Sequence, residues 1–118
     1  MPKLVVSEET ELMLKNESIE LPAQEILQRR IIAAAPKIAS HPKLLIDLSS
    51  LGGKKMTVLE IFARVEKAFR TYPLPKTETT EAIEGIAEIF FNKKEIKKWV
   101  VRNLPTRLTV AHFRRGRR

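Results

Sequence analysis

Residues 57–70 read Thr-Val-Leu-Glu-Ile-Phe-Ala-Arg-Val-Glu-Lys-Ala-Phe-Arg, and this run decides the fold class. Thr57 and Glu60 have the spacing of a capping box, in which each side chain accepts the backbone N–H of the other residue at a helix start. Val58, Ile61, Phe62, Val65, Ala68 and Phe69 recur at helical period, a stripe that must be buried against other elements. Glu60–Arg64 and Glu66–Arg70 stand four apart, as favourable pairs on the solvent side do. Tyr72-Pro73-Leu74-Pro75 ends the helix in a stiff connector.

Working outward, the same period returns on both sides. Towards the N-terminus, Ile26, Leu27, Ile31 and Ala34 repeat at helical spacing after Pro22, which suits a first helical turn. Pro36 and then Ser40-His41-Pro42 interrupt that helix, because a proline ring clashes with the carbonyl one turn earlier. Leu44, Leu45, Leu48 and Leu51 fit a short helix closed by Gly52-Gly53, although Lys43–Leu48 also reads as a buried strand. Towards the C-terminus, Ile83, Ile86, Ala87 and Phe90 form an amphipathic helix with Glu81, Glu84 and Glu88 outside. Asn92-Lys93-Lys94-Glu95 repeats the capping logic. It opens a helix that buries Ile96, Trp99 and Val100 and is expected to stop near Asn103, before Leu104-Pro105.

The two ends read differently. Leu12, Leu14, Ile19 and Leu21 alternate with polar neighbours around Lys15-Asn16-Glu17, the pattern of a β-hairpin over about 10–21, and Lys3–Val6 offers a third strand. Leu108 and Val110 alternate with Thr109 and Ala111, so residues 105–113 allow a short strand. Arg114-Arg115-Gly116-Arg117-Arg118 has nothing to pack and reads as a basic tail. The expected fold is therefore mainly α (α+β): four to five short helices, an N-terminal β-hairpin and a basic C-terminal tail. One globular domain spans residues 1–113, with a hairpin region at 1–21 and a helical core at 22–104, followed by the tail at 114–118.

Composition narrows the function. The 118 residues are 31% charged and 43% hydrophobic, the balance of a globular chain. Cysteine is absent, which removes disulfides, thiolate zinc sites and cysteine nucleophiles. The longest apolar run, Ile31–Ala35, falls far short of the ~20 residues of a membrane span. The first 25 residues are acidic, unlike a secretory signal, so a cytoplasmic location is expected. His41, His112 and Asp47 are the only residues of their kinds. No pair of histidines has metal-ligand spacing, and Ser40 and His41 are adjacent and cannot face each other as nucleophile and base. No enzyme, cofactor or metal site is expected.

Charge points the other way, towards a polyanion. The net +8 is segregated into blocks of alternating sign. Residues 1–25 and 76–92 are net acidic, residues 26–75 are net basic, and residues 93–118 carry ten bases against Glu95 alone. A concentrated positive block attracts phosphate-bearing partners. Lys93, Lys94, Lys97, Lys98 and Arg102 recur at three- and four-residue intervals and form a basic helix face; Arg107, Arg114, Arg115, Arg117 and Arg118 continue the charge. Lysines act as point charges on phosphate, and only Arg102 and Asn103 have the chemistry to read base edges. Gly52-Gly53-Lys54-Lys55 lacks the P-loop pattern and reads as an interhelical turn, with Lys54 and Lys55 as secondary phosphate contacts.

The expected activity is non-catalytic nucleic-acid binding, to DNA or RNA, through the phosphate backbone. The alternative is an assembly or adaptor subunit of a viral particle, secretion machine or ribonucleoprotein. Its acidic N-terminal and basic C-terminal surfaces would then meet protein partners or other copies of the chain. Trp99, on the Ile96–Val100 face, is expected in the core rather than as a stacking platform.

Overall fold

The computed structural model describes residues 12, 14–91 and 93–116, with side chains as far as residue 108. Two short strands and six helices are bounded in this range: β1 (Ser18–Glu20), α1 (Gln24–Ala34), α2 (Pro36–Ala39), α3 (Pro42–Ser49), β2 (Lys55–Thr57), α4 (Val58–Thr71), α5 (Lys76–Phe90) and α6 (Lys94–Gly116). The mainly helical class with a small antiparallel sheet is as the sequence predicts.

The partner of the first strand is not. Residues 14–16 are helical, and β1 pairs antiparallel with β2, Ser18 with Thr57, Ile19 with Met56 and Glu20 with Lys55. Leu21 N–H donates to the Lys54 carbonyl at 2.9 Å and Val58 N–H to that of Glu17 at 3.1 Å, which extends the ladder past both strand ends. The local hairpin over 10–21 is thus replaced by a non-local pair, because Ile19 and Met56 can pack together on the core from there. The third strand over Lys3–Val6 lies outside the described residues.

Two of the prolines act as the sequence requires, whereas Pro22 lies ahead of α1 and its N-cap Ala23 rather than in its first turn. Pro36 and Pro42 each occupy the first turn of a helix, where the missing N–H is no loss. This settles 43–48 as helical rather than strand. Ala35 between α1 and α2 leaves the helical region, with φ −134° and ψ 69°. The capping box is closed: Glu60 N–H donates to Thr57 Oγ1 at 3.2 Å and Thr57 N–H to Glu60 Oε1 at 3.1 Å.

Five helices close a ring. α1 packs on α5, α5 on α6, α6 on α4, α4 on α3, and α3 back on α1. Their apolar stripes fill the centre with Leu27, Ile31, Leu44, Leu48, Ile61, Ile83, Ile86, Phe90, Ile96 and Val100, all essentially inaccessible to solvent. Trp99 lies against Phe62, ring centroids 4.6 Å apart and tilted by 54°, and is buried as expected. The molecule measures 38 × 37 × 19 Å, so it is a slab about two helix diameters thick.

Two further corrections concern the last helix. α6 does not stop near Asn103 but continues through Pro105 to Gly116, which replaces the expected strand over 105–113. Proline forfeits the ladder bond to Val101. Leu104 is nevertheless fully buried, and Leu108 packs on the core, so the tertiary contacts outweigh the lost bond. Arg114, Arg115 and Gly116 are therefore helical in backbone rather than the start of a tail. Their side chains, the cap at Asn92, and Arg117 and Arg118 lie outside the described residues.

Candidate nucleic-acid interface

The helical period sorts the basic residues of α6. Ile96, Trp99, Val100 and Leu104 define its buried side. Lys94, Lys98 and Arg102, four residues apart, lie opposite and are exposed. Successive members rise by about 6 Å along the axis and turn by about 40°, so the three form a ridge that slants along the helix. None of the three has a carboxylate partner among the described residues.

The other predicted contacts are differently placed. Lys93 Nζ is paired with Glu17, which ties the start of α6 to the segment before β1. Lys97 Nζ meets Glu88 Oε2 at 2.9 Å, bridging α6 to α5. Arg107 Nε is paired with Glu66, whose other oxygen accepts from Arg70 at 2.7 Å. Glu66 is only 6% exposed; it turns inward from the solvent side expected for it, because Arg107 comes over it from α6. Glu60 meanwhile closes the capping box rather than reaching Arg64. The basic face is thus divided in two: three cations hold the fold together and three face outward. Asn103 is also engaged, since its Nδ2 donates to the Trp99 carbonyl at 2.8 Å, which occupies one of its two amide N–H groups.

In the turn at Gly52-Gly53-Lys54-Lys55 the first three backbone amides are already engaged and cannot hold an anion. Gly52 N–H donates to the Ser49 carbonyl, Gly53 N–H to those of Leu21 and Pro22, and Lys54 N–H to that of Leu51. Gly53 has φ +79°, the left-handed region that favours glycine. The segment is a turn from α3 into β2, which begins at Lys55, rather than the interhelical turn expected, and the exposed Lys54 and Lys55 side chains remain to meet a phosphate.

Sequence reasoning missed the setting of the ridge. Lys94, Lys98 and Arg102 form one wall of an open groove of about 970 Å³. The facing wall is α5, with Glu81, Glu84 and Glu88, and Lys37 of α2 also lines the groove. Small side chains make the floor. At Gly85, an added Cβ would stand 2.3 Å from the Ala34 carbonyl oxygen, so only glycine lets α5 lie this close to the end of α1. The signal was present in Gly85 itself, a glycine inside a helical pattern, which often marks close packing.

Glu81 and Glu84 have no cationic partner among the described residues. The groove therefore offers unpaired charge of both signs. Among the described residues no group of His, Cys, Asp and Glu could hold a metal ion, and no helix is long and apolar enough to cross a membrane. No family model, curated protein or solved structure matches the chain.

Proposed function

We propose that the protein binds nucleic acid without catalysing a reaction, holding the phosphate backbone on the ridge formed by Lys94, Lys98 and Arg102. The observation that carries this reading is the ridge itself: three evenly spaced cations on one exposed helix face with no carboxylate partner among the described residues. Backbone phosphates are the repeating anions that such a row suits, and release of their counterions supplies the affinity. Lys37 adds charge from α2. Arg114, Arg115, Arg117 and Arg118 extend the basic segment in sequence. Lys93, Lys97 and Arg107 contribute through the fold instead.

Fluorescence anisotropy with labelled oligonucleotides at low salt tests the reading. Replacing Lys94, Lys98 and Arg102 with alanine is expected to weaken binding at least tenfold. The Lys93→Ala/Lys97→Ala pair is expected to weaken it much less. If the two variants lose affinity equally, or neither does, the ridge is not the binding surface.

A second reading, an assembly or adaptor subunit, draws on large apolar side chains left at the surface. Ile46 of α3 is 64% exposed and Ile26 of α1 is 45% exposed, on helices that pack against each other. Light scattering that shows concentration-dependent growth, weakened by removing residues 114–118, would favour it.

A further inference from the structure

We infer that the groove between α5 and α6 takes a single strand of nucleic acid rather than a duplex, and favours bases that carry an exocyclic amine. This rests on the proposed backbone binding and goes beyond it. The cationic wall provides one line of positive charge, Lys94–Lys98–Arg102, along one helix. The facing wall carries Glu81 and Glu84, both exposed and without a cationic partner among the described residues.

A duplex seated on the ridge would bring a second row of phosphates towards those carboxylates, and like charges at close range are repelled. A single strand has one phosphate row, which the ridge can hold while the bases turn towards α5. An ionised carboxylate only accepts hydrogen bonds. Cytosine N4 and adenine N6 donate, whereas thymine's one donor, its N3–H, is flanked by the O2 and O4 acceptors, which a carboxylate repels. Glu81 and Glu84 thus attract amine-bearing bases and repel thymine.

Among the described residues nothing offers a stacking platform: Phe62, Phe69, Phe90, Phe91 and Trp99 are all buried, and no described aromatic residue lines the groove. Discrimination comes from hydrogen bonds alone and is correspondingly modest. The groove volume, about 970 Å³, is near the upper end of the roughly 300–1,000 Å³ of small-ligand sites, and its open form suits a strand that passes through.

The test uses the full chain with labelled oligo(dC), oligo(dT) and a mixed-sequence duplex of equal length. Oligo(dC) is expected to bind roughly five- to tenfold more tightly than oligo(dT), one hydrogen bond's worth, and more tightly than the duplex. In the Glu81→Ala/Glu84→Ala variant, oligo(dT) binding should strengthen as repulsion is relieved, and the oligo(dC):oligo(dT) ratio should fall to about one. A wild-type ratio near one, a ratio unchanged in the variant, or a duplex bound as tightly as oligo(dC) overturns the inference and leaves backbone binding intact. If none of the three binds at low salt, backbone binding itself fails.

Discussion

Glu66 shows how one residue changes the meaning of another far along the chain. Its carboxylate is buried and accepts from Arg70 on its own helix and from Arg107 on α6. Glu66→Ala removes the acceptor of two charged hydrogen bonds, and Arg70 and Arg107, 42% and 24% exposed, can turn part-way back to water. Glu66→Ala is therefore expected to destabilise the fold by about 1–2 kcal/mol, measured as a lower urea midpoint with an unchanged slope. An effect within about 0.5 kcal/mol, the usual range at plain surface positions, would mean the cluster is solvated and unimportant. Gly85 is the second decisive residue. Alanine ordinarily improves a helix by about 1 kcal/mol over glycine, but here its Cβ would meet the Ala34 carbonyl at 2.3 Å. Backbone must then move, and Gly85→Ala is expected to cost about 1–3 kcal/mol net. A stabilised variant would show that α1 and α5 are not held this close.

At the scale of elements, the start of α4 carries a pH signature. Thr57 holds the Glu60 carboxyl below the ordinary glutamate range, first through its backbone N–H and then through its side chain. A carboxyl whose pKa is lowered by folding adds stability above its unfolded value and loses it as pH falls through its folded value. Glu60→Gln is expected to flatten the acid side of the stability curve, below the ordinary glutamate range, and to leave its neutral-to-alkaline shape unchanged. Chemical denaturation at stepped pH checks this; an acid limb as steep as the wild type's would refute it. Thr57→Ala, which removes the hydroxyl cap, is expected to cost about 1 kcal/mol near neutrality.

This cap was legible in sequence because both partners lie within one turn. The stripes of α4 and α5 and the glycine turn were legible for the same reason: each is a local signal. What was not legible is non-local. β1 finds β2 rather than the segment before it, and alternation within residues 12–21 cannot say which strand it will pair with. The path of α6 through Pro105 depends on the burial of Leu104 and on Arg107 meeting Glu66, 41 residues earlier. The basic face was read as a unit, and its division into fold-holding and outward-facing cations depends on which glutamates neighbouring helices bring within reach.

For the whole molecule, the question is whether net charge or its placement governs binding. If net charge alone attracted nucleic acid, removing any three exposed bases from this +8 chain would weaken binding alike, since long-range attraction depends little on position within a slab 38 Å across. At moderate salt the Debye length is about 10 Å, well below that width, so distant charges are screened and only those in contact displace counterions. Each phosphate engaged on a single strand contributes about −0.7 to the slope of log affinity against log salt. Three ridge contacts account for a slope of about −2, and each engaged arginine near the C-terminus adds a further −0.7. Replacing Lys94, Lys98 and Arg102 with alanine should therefore make the slope shallower by about 2. Replacing Lys43, Arg64 and Lys67, three exposed bases outside the groove lining, should leave it unchanged within error. Removing residues 114–118 should make it shallower only by the number of arginines that reach the strand, at most four. Equal loss of slope in the two triple variants would locate the attraction in total charge, and the ridge would then have no special claim as a site.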